Sequence, residues 1–165
     1  MNDCNLSFSL YEQYIFQHIW CMVIASFALV GIQFSILFYF AVSGDLIADQ
    51  WYLILAEVLG VFLGIWAITV MNQATMSIFP QPKMNGNLIV AGPYQFIRHP
   101  MYTAILLVCL AIALSNPTTI KWIMYAVLLV NQLIKLHLEE SMLLKQYPEY
   151  EAYQKTTKKL IPYLF

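Results

Sequence analysis

The chain predicts an all-α polytopic membrane protein with about four membrane helices, the last two forming a helical hairpin, a cytoplasmic loop and a C-terminal helical tail. Composition points there first. Hydrophobic residues make up 61% of the 165 positions, charged residues only 10%, and mean hydropathy is +0.66, outside the range of a soluble domain. The second observation is run length. A bilayer core of about 30 Å takes roughly 20 apolar helical residues, and residues 19–42 and 51–71 supply two such runs. The third is the pair of shorter runs, 101–114 and 119–138, separated by Asn116 and Pro117, which break the chain into two arms.

The whole chain reads as one membrane domain. Residues 10–42 and 51–71 are its first two helices, 72–100 the loop, 101–138 the hairpin and 139–165 the tail. Ser9 followed by Glu12 has capping-box spacing, which would start the first helix near Leu10 and carry Tyr11, Tyr14 and Phe16 through the interface. A disordered leader fits the same residues. No Lys or Arg precedes the first apolar run, and that run is too long for a signal h-region, so retention rather than cleavage is expected. The third run spans only about 21 Å at about 1.5 Å per residue, so it needs thinning of the bilayer or a partner to cross.

Basic residues set the expected orientation. For four crossings, Lys83, Arg98, Lys135, Lys145, Lys155, Lys158 and Lys159 share one face with both termini and the loop, whereas only Lys121 lies opposite. The positive-inside rule puts the first set in the cytoplasm. Cys4, Cys21 and Cys109 are isolated, with no metal-ligand spacing, and no basic tract suited to nucleic acid occurs.

Polar residues inside the apolar runs are few. Gly60 and Gly64 form a GxxxG that permits close helix approach. Glu57, one turn earlier, calls for a partner, a wet cavity or reach to the interface. Asn131 and Gln132 in the last run are read chiefly as interhelical hydrogen-bonding residues.

The densest chemistry lies in NLIVAGPYQFIRHPMY, residues 87–102. Pro80, Pro82, Gly86 and the Gly92-Pro93 pair preclude a regular helix before it, and Leu88, Ile89 and Val90 can expose backbone groups to a flat heterocycle. Pro100 suits the first position of a helix, which makes His99 its cap and turns the amides of Met101 and Tyr102 toward the loop, where an anion is favoured. Tyr94 and Tyr102 can present electron-rich faces to a cation. An interfacial Arg-His-Tyr cluster that anchors a helix end has the same spacing.

A second polar group, Lys135, His137, Glu139 and Glu140, ends the last run. Four-residue spacing puts Lys135 and Glu139 on one face and turns Glu140 elsewhere. An ordinary ion pair on a solvated helix end has that spacing too. Tyr147, Tyr150 and Tyr153 then recur every third residue, a stripe for a short tail helix that covers the loop or lies on the membrane.

From about Gly64 to Phe165, these pieces in order resemble the isoprenylcysteine carboxyl methyltransferase family and its wider relatives among membrane phospholipid and thiol methyltransferases. The resemblance rests on LIVAGPYQFIRHPMY, on Ser115-Asn116-Pro117, on the Glu139-Glu140 pair followed by Tyr-x-x-Tyr, and on the final Leu-Ile-Pro. It implies S-adenosylmethionine bound between loop and tail, with a lipidic or prenylated substrate entering from the bilayer among membrane lipids. Gly86, Asn87, Leu88 and Ile89 would contact the cofactor through backbone, Tyr94, His99, Pro100, Met101 and Tyr102 would line its pocket, and Glu139 would bind it from the opposite side. Where the prenylcysteine enzymes have an arginine four residues before this glutamate, the chain has Lys135, a point charge in place of a bidentate fork. Lys135 is then the residue expected to position a substrate anion.

The implied reaction is prenylcysteine-type carboxyl O-methylation. A carboxylate needs alignment and loss of water more than a base, whereas phosphatidylethanolamine N-methylation needs a proton acceptor, for which Glu140 and His137 are the candidates. Membrane sterol reductases carry a related His-Pro-x-Tyr region and use NADPH. A non-catalytic membrane protein that has kept the scaffold is the remaining alternative.

Overall fold

The computed structural model describes residues 24–43, 46–72 and 88–165. The expected Ser9–Glu12 cap, Cys4, Cys21, Lys83, Gly86 and Asn87 lie outside the described residues. Among the described residues there are five α-helices and one 3-10 turn, and no strand.

Helix α1 covers Ile24–Val42, and the Ser43 hydroxyl closes its end by donating to the Phe40 carbonyl at 3.0 Å. Helix α2, Trp51–Asn72, is a 22-residue, largely apolar helix about 33 Å long. Its approach is fixed by Glu57, whose Oε2 accepts the Ala48 amide at 3.3 Å, so this intramembrane carboxylate serves the chain leading into its own helix. Helix α3, Pro100–Ser115, is a 16-residue helix of about 24 Å. Helix α4, Thr119–Gln146, starts where the Thr118 side chain accepts the Lys121 amide at 3.2 Å. Its 28 residues extend about 42 Å, so its last turns project past a 30 Å apolar core. Helix α5, Tyr150–Thr156, follows a break at Tyr147 and Pro148.

Three of these helices, α1, α2 and α4, are long and apolar enough to cross a membrane, and α3 is the short one. Phe38, Ile47, Trp51 and Phe62 turn more than half of their surface outward, as lipid-facing side chains do. The protein is an integral membrane protein.

The Asn116-Pro117 turn joins α3 to α4 as expected of a hairpin, yet α3 lies most closely against α2. Gly60 is the reason. A Cβ there would stand 2.7 Å from Val108 Cγ2 and 3.2 Å from the Ala104 carbonyl, so only glycine permits this approach. The GxxxG therefore pairs two helices of one chain. The core behind them joins Ile36 and Phe40 of α1 to Leu106, Cys109 and Ile112 of α3 and to Leu128 and Leu136 of α4. It holds the projecting end of α4 beside the start of α3.

Candidate active site

The loop reaches the membrane helices through Gly92, whose φ of +60° is open to glycine at little cost and whose bare Cα lets Trp66 and Val70 of α2 pack against it. A 3-10 turn over Gly92–Gln95 then buries Tyr94 and directs its hydroxyl to Met71 Sδ at 4.0 Å. Leu88 and Ile89 precede this turn in irregular, half-buried chain.

Pro100 begins α3 and His99 is its N-cap position, both as expected. The cap works through backbone. The His99 carbonyl accepts the amides of Tyr102 and Thr103 at 3.1 Å each, so the Tyr102 amide is used within the turn and is not offered to an anion. Met101 is half-buried beside the fully buried Pro100. The His99 imidazole stacks on the Tyr102 ring, with centroids 5.3 Å apart and planes 4° apart.

Two carboxylates of α4 flank that imidazole. Glu139 Oε2 lies 3.5 Å from Nδ1, and Glu140 Oε1 lies 3.5 Å from Nε2. Successive helix residues diverge by about 100°, which is why sequence spacing turned Glu140 away. Inserting a ring between the two side chains brings both to one group. Burial opposes a positive charge on His99, but hydrogen bonding and the field of the two carboxylates outweigh it and hold its pKa above the ordinary 6.5.

The two glutamates then divide. Glu140 is buried and accepts Arg98 Nε at 2.6 Å, while Arg98 Nη1 donates to the Thr157 carbonyl at 2.5 Å and the Gln154 carbonyl at 3.2 Å. Arg98 thus fastens the tail to α4. Parallel bridging of Ile97 with Lys158 continues this attachment, with the Arg98 amide donating to the Lys158 carbonyl and the His99 amide to the Lys159 carbonyl. Tyr153 adds a hydroxyl bond to the Tyr94 carbonyl at 2.6 Å, so the tyrosine stripe covers the loop.

Glu139 remains a quarter exposed. Its Oε2 accepts the Tyr102 hydroxyl at 2.9 Å, and its Oε1 has no hydrogen bond among the described residues. Lys135 does not pair with it. Lys135 Nζ donates to Gln33 Oε1 of α1 at 2.6 Å and stands 5.2 Å from the centre of the Tyr102 ring.

Of the residues expected from sequence, His99, Tyr102, Lys135 and Glu139 meet in one cluster, with Tyr94 tied to its cover through Tyr153. Among the described residues, no hydrogen bond links Leu88 or Ile89 to the carboxylates. Thr157 and Gln33 were missed as members, and Arg98 and Glu140 were named only as a helix-end anchor and a candidate proton acceptor, not as a pair. RHPMY contains the arginine, but its partners come from the tail and α4; Gln33 has no local signal at all.

The phospholipid methyltransferase family model matches residues 48–150, well over half of the chain, from the approach to α2 to the first residue of α5. No curated protein and no solved structure matches it. Its matched span contains the loop, the hairpin and the Glu139-Glu140 pair in order. The chain belongs to the phospholipid methyltransferase family.

Proposed function

We propose that this protein transfers a methyl group from S-adenosylmethionine to a lipidic acceptor at the mouth of its helix bundle. The observation that carries this reading is the contrast between the two glutamates: Glu140 fastens the tail, whereas among the described residues Glu139 Oε1 has no hydrogen bond and can accept a ligand donor. The donor set fits the cofactor. Glu139 Oε1 suits ribose hydroxyls, and the Tyr102 ring, stacked on His99 with Lys135 Nζ 5.2 Å from its centre, orients that carboxylate through its hydroxyl. When bound, S-adenosylmethionine supplies an electrophilic methyl on a sulfonium. Glu139, Tyr102, His99, Pro100 and Met101 are the described residues assigned to hold it, with Leu88, Ile89 and Tyr94 along the loop. Gly86 and Asn87 extend the same assignment outside the described residues.

Within this reading, carboxyl O-methylation of the prenylcysteine type is the preferred reaction. Amine methylation needs a base, and the nearby groups are poorly disposed to be one: His99 is held toward its protonated form and Glu140 is committed to Arg98. Lys135 instead brings a buried cation, which favours an anionic acceptor. Phosphatidylethanolamine N-methylation is the second reading, favoured by the family match. On either reading the cofactor face is cytoplasmic, by the distribution of lysines.

Calorimetry on detergent-purified protein tests the proposal, with S-adenosylmethionine and NADPH as ligands and Glu139→Ala as control. Selective S-adenosylmethionine binding that the substitution abolishes is expected. Binding of NADPH alone would overturn the reading in favour of a reductase, and binding of neither would leave a non-catalytic membrane protein. Labelled methyl transfer to N-acetyl-S-farnesylcysteine or to phosphatidylethanolamine then distinguishes the acceptors.

A further inference from the structure

Below Glu139, the buried face of α4 stays polar for two further turns. Lys135 and Gln132 precede Glu139 by four and seven residues, so all three lie along one side of the helix. Gln132 is 0% exposed, and among the described residues neither its Nε2 nor its Oε1 has a hydrogen-bond partner. A buried primary amide with both ends unsatisfied is costly, and more so where lipid rather than water surrounds the bundle. Asn131 beside it donates Nδ2 to the Leu29 carbonyl of α1 at 3.2 Å, and its Oδ1 is also buried without a partner among the described residues.

From the facing helix, Gln33 holds Lys135 by the 2.6 Å bond to Nζ, and both side chains are buried. Gln33 lies on α1, outside the matched span 48–150. An ammonium has three N–H groups, and this bond uses one. The bundle therefore encloses a fixed cation with spare donors and, on the same helix face, an amide with two more. That set is complementary to an oxyanion. Gln132 lies about 10 Å along α4 from Glu139, on the bilayer side of the carboxylate assigned to the cofactor.

We propose that Gln33 and Gln132, together with Lys135, form the subsite that seats the oxyanion of the lipid acceptor, Gln132 by direct donation and Gln33 by fixing Lys135 Nζ. The proposal rests on the methyl-transfer reading given above. A terminal carboxylate and a phosphodiester share the required chemistry, and the test distinguishes them. Gln33 is a positioning residue, because it acts through Lys135.

The test measures binding to detergent-purified protein for two matched pairs: N-acetyl-S-farnesylcysteine against its carboxamide, and lysophosphatidylethanolamine against monoacylglycerol. Wild type is expected to prefer the oxyanion member of one pair by about tenfold or more, the effect of a charged hydrogen bond, and that pair identifies the source. Gln33→Met and Gln132→Met are each expected to bring the ratio close to one while S-adenosylmethionine affinity stays within about twofold of wild type. Gln33→Asn, which keeps an amide, should retain part of the preference. An unchanged ratio in both methionine variants overturns the proposal, as does absence of any oxyanion preference in wild type. Failure of wild type to bind S-adenosylmethionine is a separate result, which overturns the methyl-transfer reading itself.

Discussion

Tyr102 donates its hydroxyl to Glu139 Oε2 across 2.9 Å, joining the first turn of α3 to the projecting end of α4. The bond orients a carboxylate whose other oxygen has no hydrogen bond among the described residues. Glu139→Ala removes the acceptor and is expected to weaken S-adenosylmethionine by more than about tenfold, the loss of a charged hydrogen bond. Tyr102→Phe leaves the carboxylate but frees it to rotate, so a smaller loss of about three- to tenfold is expected. Calorimetric titration of both variants checks the order. Equal affinities in wild type and Glu139→Ala would remove Glu139 from the cofactor site.

The Arg98 guanidinium ties three parts of the fold together: Glu140 of α4, Gln154 of α5 and Thr157 of the tail. With both charged side chains less than a tenth exposed, removal of one partner is expected to cost about 3–5 kcal/mol. Arg98→Met should therefore lower the unfolding temperature in detergent and speed proteolysis of the segment after Tyr147. The double variant Arg98→Met, Glu140→Gln should recover part of the loss, since no buried charge is then left alone. Rapid tail cleavage without any fall in unfolding temperature would mean that the clasp holds only the tail.

His99 gives the fold a pH dependence of defined sign. Burial disfavours its charged form, but Glu139 and Glu140 raise its folded pKa above 6.5. A raised folded value means that the proton favours the folded state. The contribution is thus complete below about pH 6.5 and declines as pH rises through the higher folded value. Unfolding temperature is expected to fall over that interval in wild type and to fall less in His99→Gln. Parallel pH profiles for the two proteins would show that the imidazole carries no such proton.

How far this arrangement was legible in the sequence depends on the range of each interaction. The boundary at His99 and Pro100 follows from the fixed φ of proline, and two glycines four residues apart announce a close helix contact without naming α3 as the partner. Tyr102 and Glu139 were legible through family resemblance. Glu140 was misassigned because helix spacing describes a bare helix, whereas His99 reaches between neighbouring side chains. Lys135 was assigned to an anion, yet its partner in the structure is Gln33, 102 positions earlier and without any local pattern. The tail attachment at Ile97 and Lys158 is a backbone pairing of two segments with no strand signal.

Close contact between α2 and α3 should tolerate very little added volume. Gly60→Ala would put its methyl 2.7 Å from Val108 Cγ2 and 3.2 Å from the Ala104 carbonyl, and overpacking of this kind costs about 1–3 kcal/mol. Combination with Val108→Ala removes the nearer clash but not the carbonyl contact, so partial rescue is expected in thermal unfolding. Full tolerance of Gly60→Ala alone would mean that the two helices can separate without loss.

Gln132 offers the sharpest separation of stability from binding. Its amide is fully buried and has no partner among the described residues, so the folded protein without ligand bears a desolvation cost of about 1–3 kcal/mol. Methionine has a similar shape and no hydrogen bond to satisfy. Gln132→Met is therefore expected to raise the unfolding temperature in detergent, although it weakens oxyanion binding. A residue present only for packing or for an interhelical bond would behave in the opposite way, losing stability when the amide is removed. If Gln132→Met unfolds at a lower temperature than wild type, the amide has a structural partner in the folded protein and its assignment to the acceptor subsite falls.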